Sequence, residues 1–314
     1  MANTIRRIRH PFNVMADGNE AALTLTEISS GVDGPTVGIS GAIHGNESTG
    51  SEVVLELFRA LKDAPIKGRL LLLPVSNPWA FAKNRRHTPI DELNLNREFP
   101  GDPGGTFTQQ LAVAIGKAFL EKIDVHIDLH SGTDRPTVDY VYIFNDERMS
   151  RAFGSKILYR PKDGAAGTMY SGTTKAVTID RRGIPVTVVE LGGGIIDQRP
   201  YVQRGLAGVL NMLRTIGTLA GEPARPPRQV VVRSIALVRP TRGGWLETLA
   251  PPLGEEVAGG APLGRVVSPY TFEELELIPN PVKRGIMILS HLSRNLIEPG
   301  DYGYMVGDME GAES

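Results

Sequence analysis

Cysteine is absent from this 314-residue sequence. No disulfide, thiolate metal site or cysteine nucleophile is available, so any metal must be held by His, Asp or Glu. Net charge is nearly absent too, at −1, which removes the usual argument for a nucleic acid or an anionic membrane surface as partner. No apolar run approaches the ~18 residues that a transmembrane helix needs. The basic start, MANTIRRIRHPFNVM, is not followed by the apolar centre of a signal peptide. These absences lead to the expectation of a cytoplasmic protein with neither a nucleic-acid nor a membrane partner. What is present is a globular composition, 41% hydrophobic, in a length that suits one large domain or a medium domain with a small companion.

The first part of the chain alternates strand and helix patterns. ALTLTEIS alternates apolar and polar residues, and GPTVGISGAI reads as a buried strand. From Thr49 the apolar residues Val53, Val54, Leu57, Phe58 and Leu61 recur at helical spacing, with Ser48 and Thr49 as expected caps. GRLLLLPV is a second strand. FTQQLAVAIGKAFL is a helix, VHIDLHS, YVYIF and IPVTVVEL are further strands, and YVQRGLAGVLNMLRTIGTL is the last helix. The strands are apolar on both faces. The pattern predicts an α/β fold with a mostly parallel or mixed central sheet flanked by helices, whose ligand lies beyond the carboxyl ends of the strands. A long connection, SNPWAFAKNRRHTPIDELNLNREFPGDPGG, leaves the second strand and is expected to be functional. At Gly221 the character changes. GEPARPPRQ reads as a linker, and short β-like runs separated by Gly and Pro follow it. The expected division is residues 1–222 as an α/β unit and 229–314 as a small all-β unit.

The chemistry-bearing residues cluster at predicted strand ends. In ISGAIHGNESTG, His44 and Glu47 flank a glycine-rich turn, and an imidazole and a carboxylate so placed can converge on one metal ion. Gly45 is expected to let that turn tighten. His130, at the end of VHIDLHSG, is the candidate third ligand, and Asp128 shares its face of the strand as a partner able to orient the imidazole. His126 reads as core or as a supporting residue. Glu190 ends an otherwise apolar strand before Gly192-Gly193-Gly194. It is either a solvated strand end or a general base whose pKa partial burial raises. The long connection supplies Asn96 and Arg97, with Arg85 and Arg86 upstream, and an arginine fork can orient a substrate carboxylate. Arg181 and Arg182 are weaker candidates of the same kind.

AIHGNESTG, NPWAF, LNLNREFPG, IDLHSG and VVELGGG occur in this order. Together they resemble the succinylglutamate desuccinylase/aspartoacylase family, relatives of the zinc carboxypeptidases, over roughly residues 35–215. The resemblance implies a zinc carboxypeptidase-like fold and one Zn²⁺ per subunit on His44, Glu47 and His130. It implies Glu190 as general base and Asn96 and Arg97 as binders of the substrate carboxylate. Arg86 would assist near the scissile carbonyl, with Arg85 adjacent as the alternative. LVRPTRGGWLETLAPPLGEEVAGGAPLGRVV resembles half of a biotinyl/lipoyl-type barrel-sandwich. No lysine occupies the place of a carrier lysine, and Lys283 falls later. A lid or oligomer contact is therefore expected of this unit, in a homo-oligomer. The implied activity is hydrolysis of the amide of a small N-acyl amino acid, a step of amino acid metabolism. The rival readings are a metallocarboxypeptidase acting on peptides and a non-enzymatic binding module built on the β unit.

Overall fold

The computed structural model describes residues 3–161, 170–225 and 228–313. Its centre is a run of strands in the spatial order Thr4–Val14, Glu20–Ser29, Arg69–Leu73, Thr36–Gly41, Val125–His130, Val186–Gly192 and Thr137–Tyr142. The four strands from Arg69–Leu73 to Val186–Gly192 are mutually parallel, and the strands on either side of them run antiparallel. The sheet is therefore mixed with a parallel middle. Thr137–Tyr142 reverses direction for a simple reason. Residues 131–136 leave the carboxyl rim and re-enter the sheet from that same rim, with no crossover helix to carry the chain to the far edge.

Both faces are covered, and the strand period of two distributes the side chains. Leu70 and Leu72 join the core under helices Thr49–Leu61 and Arg199–Thr215. Leu71 and Leu73 join the core under helix Phe107–Ile115 and the wider turn Gly116–Leu120 that extends it. All four leucines are essentially inaccessible. At roughly 1.5–3 kcal/mol each, their burial explains why RLLLL holds as a central strand despite its helix-forming residue type.

The long connection is more ordered than its composition suggests. It contains helix Pro78–Ala82, capped by the Asn77 side chain accepting from Ala80 N at 3.1 Å, and the tight turn Leu95–Arg97. The helix expected over 107–120 starts with a reciprocal Thr106/Gln109 capping box. Ser48 precedes helix Thr49–Leu61 without a side-chain cap, and the Thr49 hydroxyl instead bonds Gln198 Oε1 at 3.0 Å.

Past Gly221 the described chain is all β. Pro226 and Pro227 of the expected linker lie outside the described residues. Strands Glu274–Pro279, Pro262–Val267, Gly244–Thr248 and Asn295–Ile297 form a separate antiparallel sheet. Its inner residues Leu246, Leu263 and Ile278 pack against Met287, Tyr304 and Val306 in a two-layer sandwich. Those last three lie on strands Arg284–Ser290 and Tyr304–Asp308, which continue the main sheet through Leu289 opposite Val138 and Ser290 opposite Thr137. Ile235–Val238 follows at the end of that row. No helix is long and apolar enough to cross a membrane among the described residues.

Candidate active site

Strands Thr36–Gly41, Val125–His130 and Val186–Gly192 end on one rim, and the turn after the first of them is tightly built. Ala42 takes a left-handed backbone, φ 49°, a conformation unusual for a residue with a Cβ. It is held there because Ser76 N and Asn77 N donate to the carbonyls of Gly41 and Ala42 at 3.0 and 3.1 Å. Gly45 is required by space. A Cβ there would lie 2.0 Å from the carbonyl carbon of Ala80 in the short helix. Gly50 is required in the same way, since a Cβ would meet the Leu129 carbonyl oxygen at 2.6 Å. The first turn of helix Thr49–Leu61 thus abuts the strand that ends in His130, which brings Glu47 to that histidine.

His44, Glu47 and His130 are all buried, and one ligand atom from each lies within 4.8 Å of the others. Glu47 is central, with Oε1 2.8 Å from His44 Nδ1 and Oε2 3.0 Å from His130 Nδ1. Each imidazole turns its other nitrogen outward. His44 Nε2 faces Asn94 Oδ1 at 3.1 Å. That oxygen also accepts from Asn96 N, so it is an acceptor, Nε2 carries the proton, and Nδ1 keeps its lone pair. His44 Nδ1 is buried with no aligned hydrogen-bond donor. His130 Nε2 lies 3.5 Å from Asp128 Oδ2. Inward ring nitrogens backed by outer acceptors are what a metal ion requires of histidine ligands. Two nitrogens and a carboxylate can hold one such ion with a position left open.

The supporting shell is hydrogen-bonded around Asp128. It accepts from Ser40 Oγ at 2.7 Å and from Thr174 Oγ1 at 3.0 Å. His126, on the same strand face, bonds Ser40 Oγ through Nε2 at 2.8 Å and takes the supporting place expected of it. Burial opposes the charge on Asp128, but His130 outweighs it and holds the carboxyl well below the usual range. Burial likewise opposes the Glu47 charge, and His44 with His130 overcomes it. Glu190 differs. Burial, reinforced by the Glu47 and Asp128 charges, pushes its carboxyl up to about 8 against the pull of His130 and Arg86. It stands opposite His130 in the strand register.

These groups line one cavity of about 430 Å³, within the range of small-molecule sites (roughly 300–1,000 Å³). Arg86, Asn96 and Arg97 line it as well. Arg86 Nη1 donates to Glu47 Oε1 at 2.7 Å. Asn96 accepts from Thr174 N through Oδ1. Arg97 bonds its neighbour's carbonyl and pairs with no carboxylate among the described residues. Arg85 is not brought to the cavity. It pairs with Glu92 at 3.0 Å on the surface, 59% exposed, because successive side chains in this loop point in opposite directions. Arg182 is also elsewhere, donating to the Leu120 carbonyl at 2.7 Å.

Sequence reasoning passed over the other walls. Tyr140 and Tyr142 line the cavity from one face of strand Thr137–Tyr142, and Phe144 lines it just past the strand's end. The period of two in YVYIF was the signal available for them. Ile235, Leu237, Leu289, Tyr302 and Met305 close the cavity from the C-terminal part of the chain. Nothing local to those residues marks them as pocket residues.

The profile of the succinylglutamate desuccinylase/aspartoacylase catalytic domain matches residues 33–216. An N-alpha-acetyl-L-2,4-diaminobutyric acid deacetylase from Halomonas elongata is 30% identical over 248 residues, covering 74% of this chain and 71% of that protein. Two solved structures align with TM-scores of 0.82 at 26% identity, each over 98% of this chain. One is a succinylglutamate desuccinylase from Silicibacter sp. TM1040, covered over 95% of its length. The other is the product-bound ectoine utilization protein EutE (DoeB) from Ruegeria pomeroyi, covered over 96%. The profile spans the strands that deliver His44, Glu47, His130 and Glu190, and on that match the chain belongs to the succinylglutamate desuccinylase/aspartoacylase family.

Proposed function

We propose that this chain is a zinc-dependent amidohydrolase that removes the acyl group from a small N-acyl amino acid. The observation that carries the reading is the buried His44–Glu47–His130 set with Glu190 in the same cavity. The relatives support it, since their names include a deacetylase and a desuccinylase acting on acylated amino acids. His44, Glu47 and His130 would hold the ion, which when bound polarises the scissile carbonyl and acidifies a water molecule.

The remaining work belongs to the chain. Glu190, raised towards neutrality, takes a proton from the attacking water and passes it to the leaving amine nitrogen. Arg86, 39% exposed and only singly tethered, donates to the oxygen that becomes negative as the carbonyl carbon turns tetrahedral. Such a donor contributes about 3–4 kcal/mol to the transition state. Arg97 forks the substrate carboxylate, and Asn96, anchored through its oxygen, offers its NH₂ end beside it. Asp128 fixes the orientation of His130. Residues 1–222 carry this chemistry, and 229–314 wall the cavity. Peptide hydrolysis would use the same residues, but the cavity volume favours a small substrate. The test is amide hydrolysis by the zinc-loaded protein over N-acetyl amino acids, dipeptides and longer peptides. Release of free amine from the acylated amino acids alone is expected, and preferential cleavage of longer peptides overturns the reading.

A further inference from the structure

The charges of the cavity are accounted for almost completely. Among the described residues it is lined by three carboxylates, Glu47, Asp128 and Glu190. Each is committed: one to the histidine set, one to His130, Ser40 and Thr174, one to proton transfer. It is lined by three cations, Arg86, Arg97 and Lys175. Lys175 Nζ is held by both oxygens of Asp180, at 2.9 and 3.0 Å, and Arg86 is taken up by Glu47 and the substrate carbonyl oxygen. Among the described lining residues, Arg97 is left for a substrate carboxylate. Among the described lining residues, a second substrate charge of either sign finds no uncommitted partner, at a desolvation cost of several kcal/mol.

What remains is carbon surface, and its position can be read. Tyr140 lies opposite Glu190 in the strand register. Tyr142, two residues on along the same strand face, lines the cavity with Glu190 and Arg97. The aromatic wall therefore flanks Glu190, the group that protonates the leaving amine, in the cavity that also holds Arg97. The rings are packed on one another, Tyr142 on Phe144 at 5.1 Å and on Tyr159 at 5.5 Å, and Phe144 on Tyr170 at 5.4 Å. Leu237 and Met305 belong to the same cavity lining.

From this geometry we infer that the amino acid released by this enzyme carries a bulky, uncharged apolar side chain, seated between the Tyr140–Tyr142–Phe144 face and Leu237 and Met305. The inference rests on the deacylase reading above and narrows its substrate class. It sets this chain apart from the relative whose name specifies a diamino acid.

The experiment compares kcat/KM of the zinc-loaded full chain on Nα-acetyl-L-leucine, -phenylalanine and -tryptophan with that on Nα-acetyl-L-2,4-diaminobutyrate and N-acetyl-L-aspartate. A preference of roughly tenfold or more for the apolar group is expected, the discrimination that a well-filled apolar pocket gives. Equal or faster turnover of the diaminobutyrate or aspartate compound overturns the inference while leaving the deacylase reading intact. No turnover of any amide removes both. An N-hexanoylglycine arm checks the direction, since acceleration by a longer acyl chain without any gain from the side chain places the apolar wall on the wrong half. Leu237→Glu, at a strand position 41% exposed where a charge is tolerated by the fold, should shift the phenylalanine-to-diaminobutyrate ratio roughly tenfold towards the diamino compound. Its zinc content should stay unchanged, and an unmoved ratio also counts against the inference.

Discussion

Replacing Glu190 with glutamine separates proton transfer from metal holding. The side chain keeps its size and its place opposite His130 but can no longer accept a proton. General-base loss costs about 10²–10⁴ in rate, so kcat/KM should fall by that factor while zinc content stays at one per chain. The same substitution has a stability consequence of opposite sign. Burial, with the Glu47 and Asp128 charges, lifts the Glu190 carboxyl from 4.5 to about 8. A carboxyl with a raised folded-state pKa stabilises the fold fully below its unfolded value. That contribution is lost as pH rises from about 4.5 through about 8. The loss is up to about 5 kcal/mol in protein stripped by a chelator. The substituted amide has no charge to bury. Stripped Glu190→Gln should therefore match the parent in denaturant unfolding near pH ~4.5 and exceed it near pH ~9. Turnover within about tenfold of the parent, with zinc retained, would remove Glu190 from proton transfer. Loss of zinc together with turnover would make it a ligand instead, and equal stabilities at both pH values would refute the assigned burial.

His44→Ala or His130→Ala should abolish zinc retention and turnover together, and a chelator should do the same to the parent until zinc is returned, as metal analysis and amine release would record. Asp128→Asn leaves the ligands in place but weakens the hold on His130, so zinc affinity should drop about 10–100-fold, measured by competition with a chromogenic chelator. Arg97→Ala should raise KM for an N-acyl amino acid by roughly 10–100-fold, the loss of a charge-assisted hydrogen-bonded pair, and Arg85→Ala should leave KM within about twofold, as expected for a surface pair. Gly45→Ala forces a methyl group to within 2.0 Å of the Ala80 carbonyl carbon and should cost about 3 kcal/mol or more, read as a fall in Tm.

The candidate metal ligands His44, Glu47 and His130 were legible because their signals are local. A histidine and a glutamate in one turn, and a histidine at the end of an apolar strand, need only the rule that parallel strands open on one rim. The family resemblance converted those positions into roles. Arg85 and Arg86 could not be told apart, because two adjacent arginines in a loop differ only in which way each side chain points. The full reason for Gly45 was not local either. The left-handed backbone of this turn falls on Ala42, and the space requirement at Gly45 comes from Ala80 in another element. The C-terminal wall was the least legible part. Ile235, Leu237 and Met305 are ordinary strand residues until the pairing of Leu289 with Val138 carries them beside the site.

That pairing also determines how specificity could change over time. Leu289–Val138 and Ser290–Thr137 join the two parts of the chain through main-chain hydrogen bonds, which are indifferent to side-chain identity. The strands that bring Leu237 and Met305 to the cavity can therefore accumulate substitutions without disturbing the ladder that positions them, and without touching His44, Glu47 or His130. Grafting residues 229–314 from a relative onto residues 1–222 would then alter the wall that Leu237 and Met305 form while leaving Tyr140, Tyr142 and Phe144 in place.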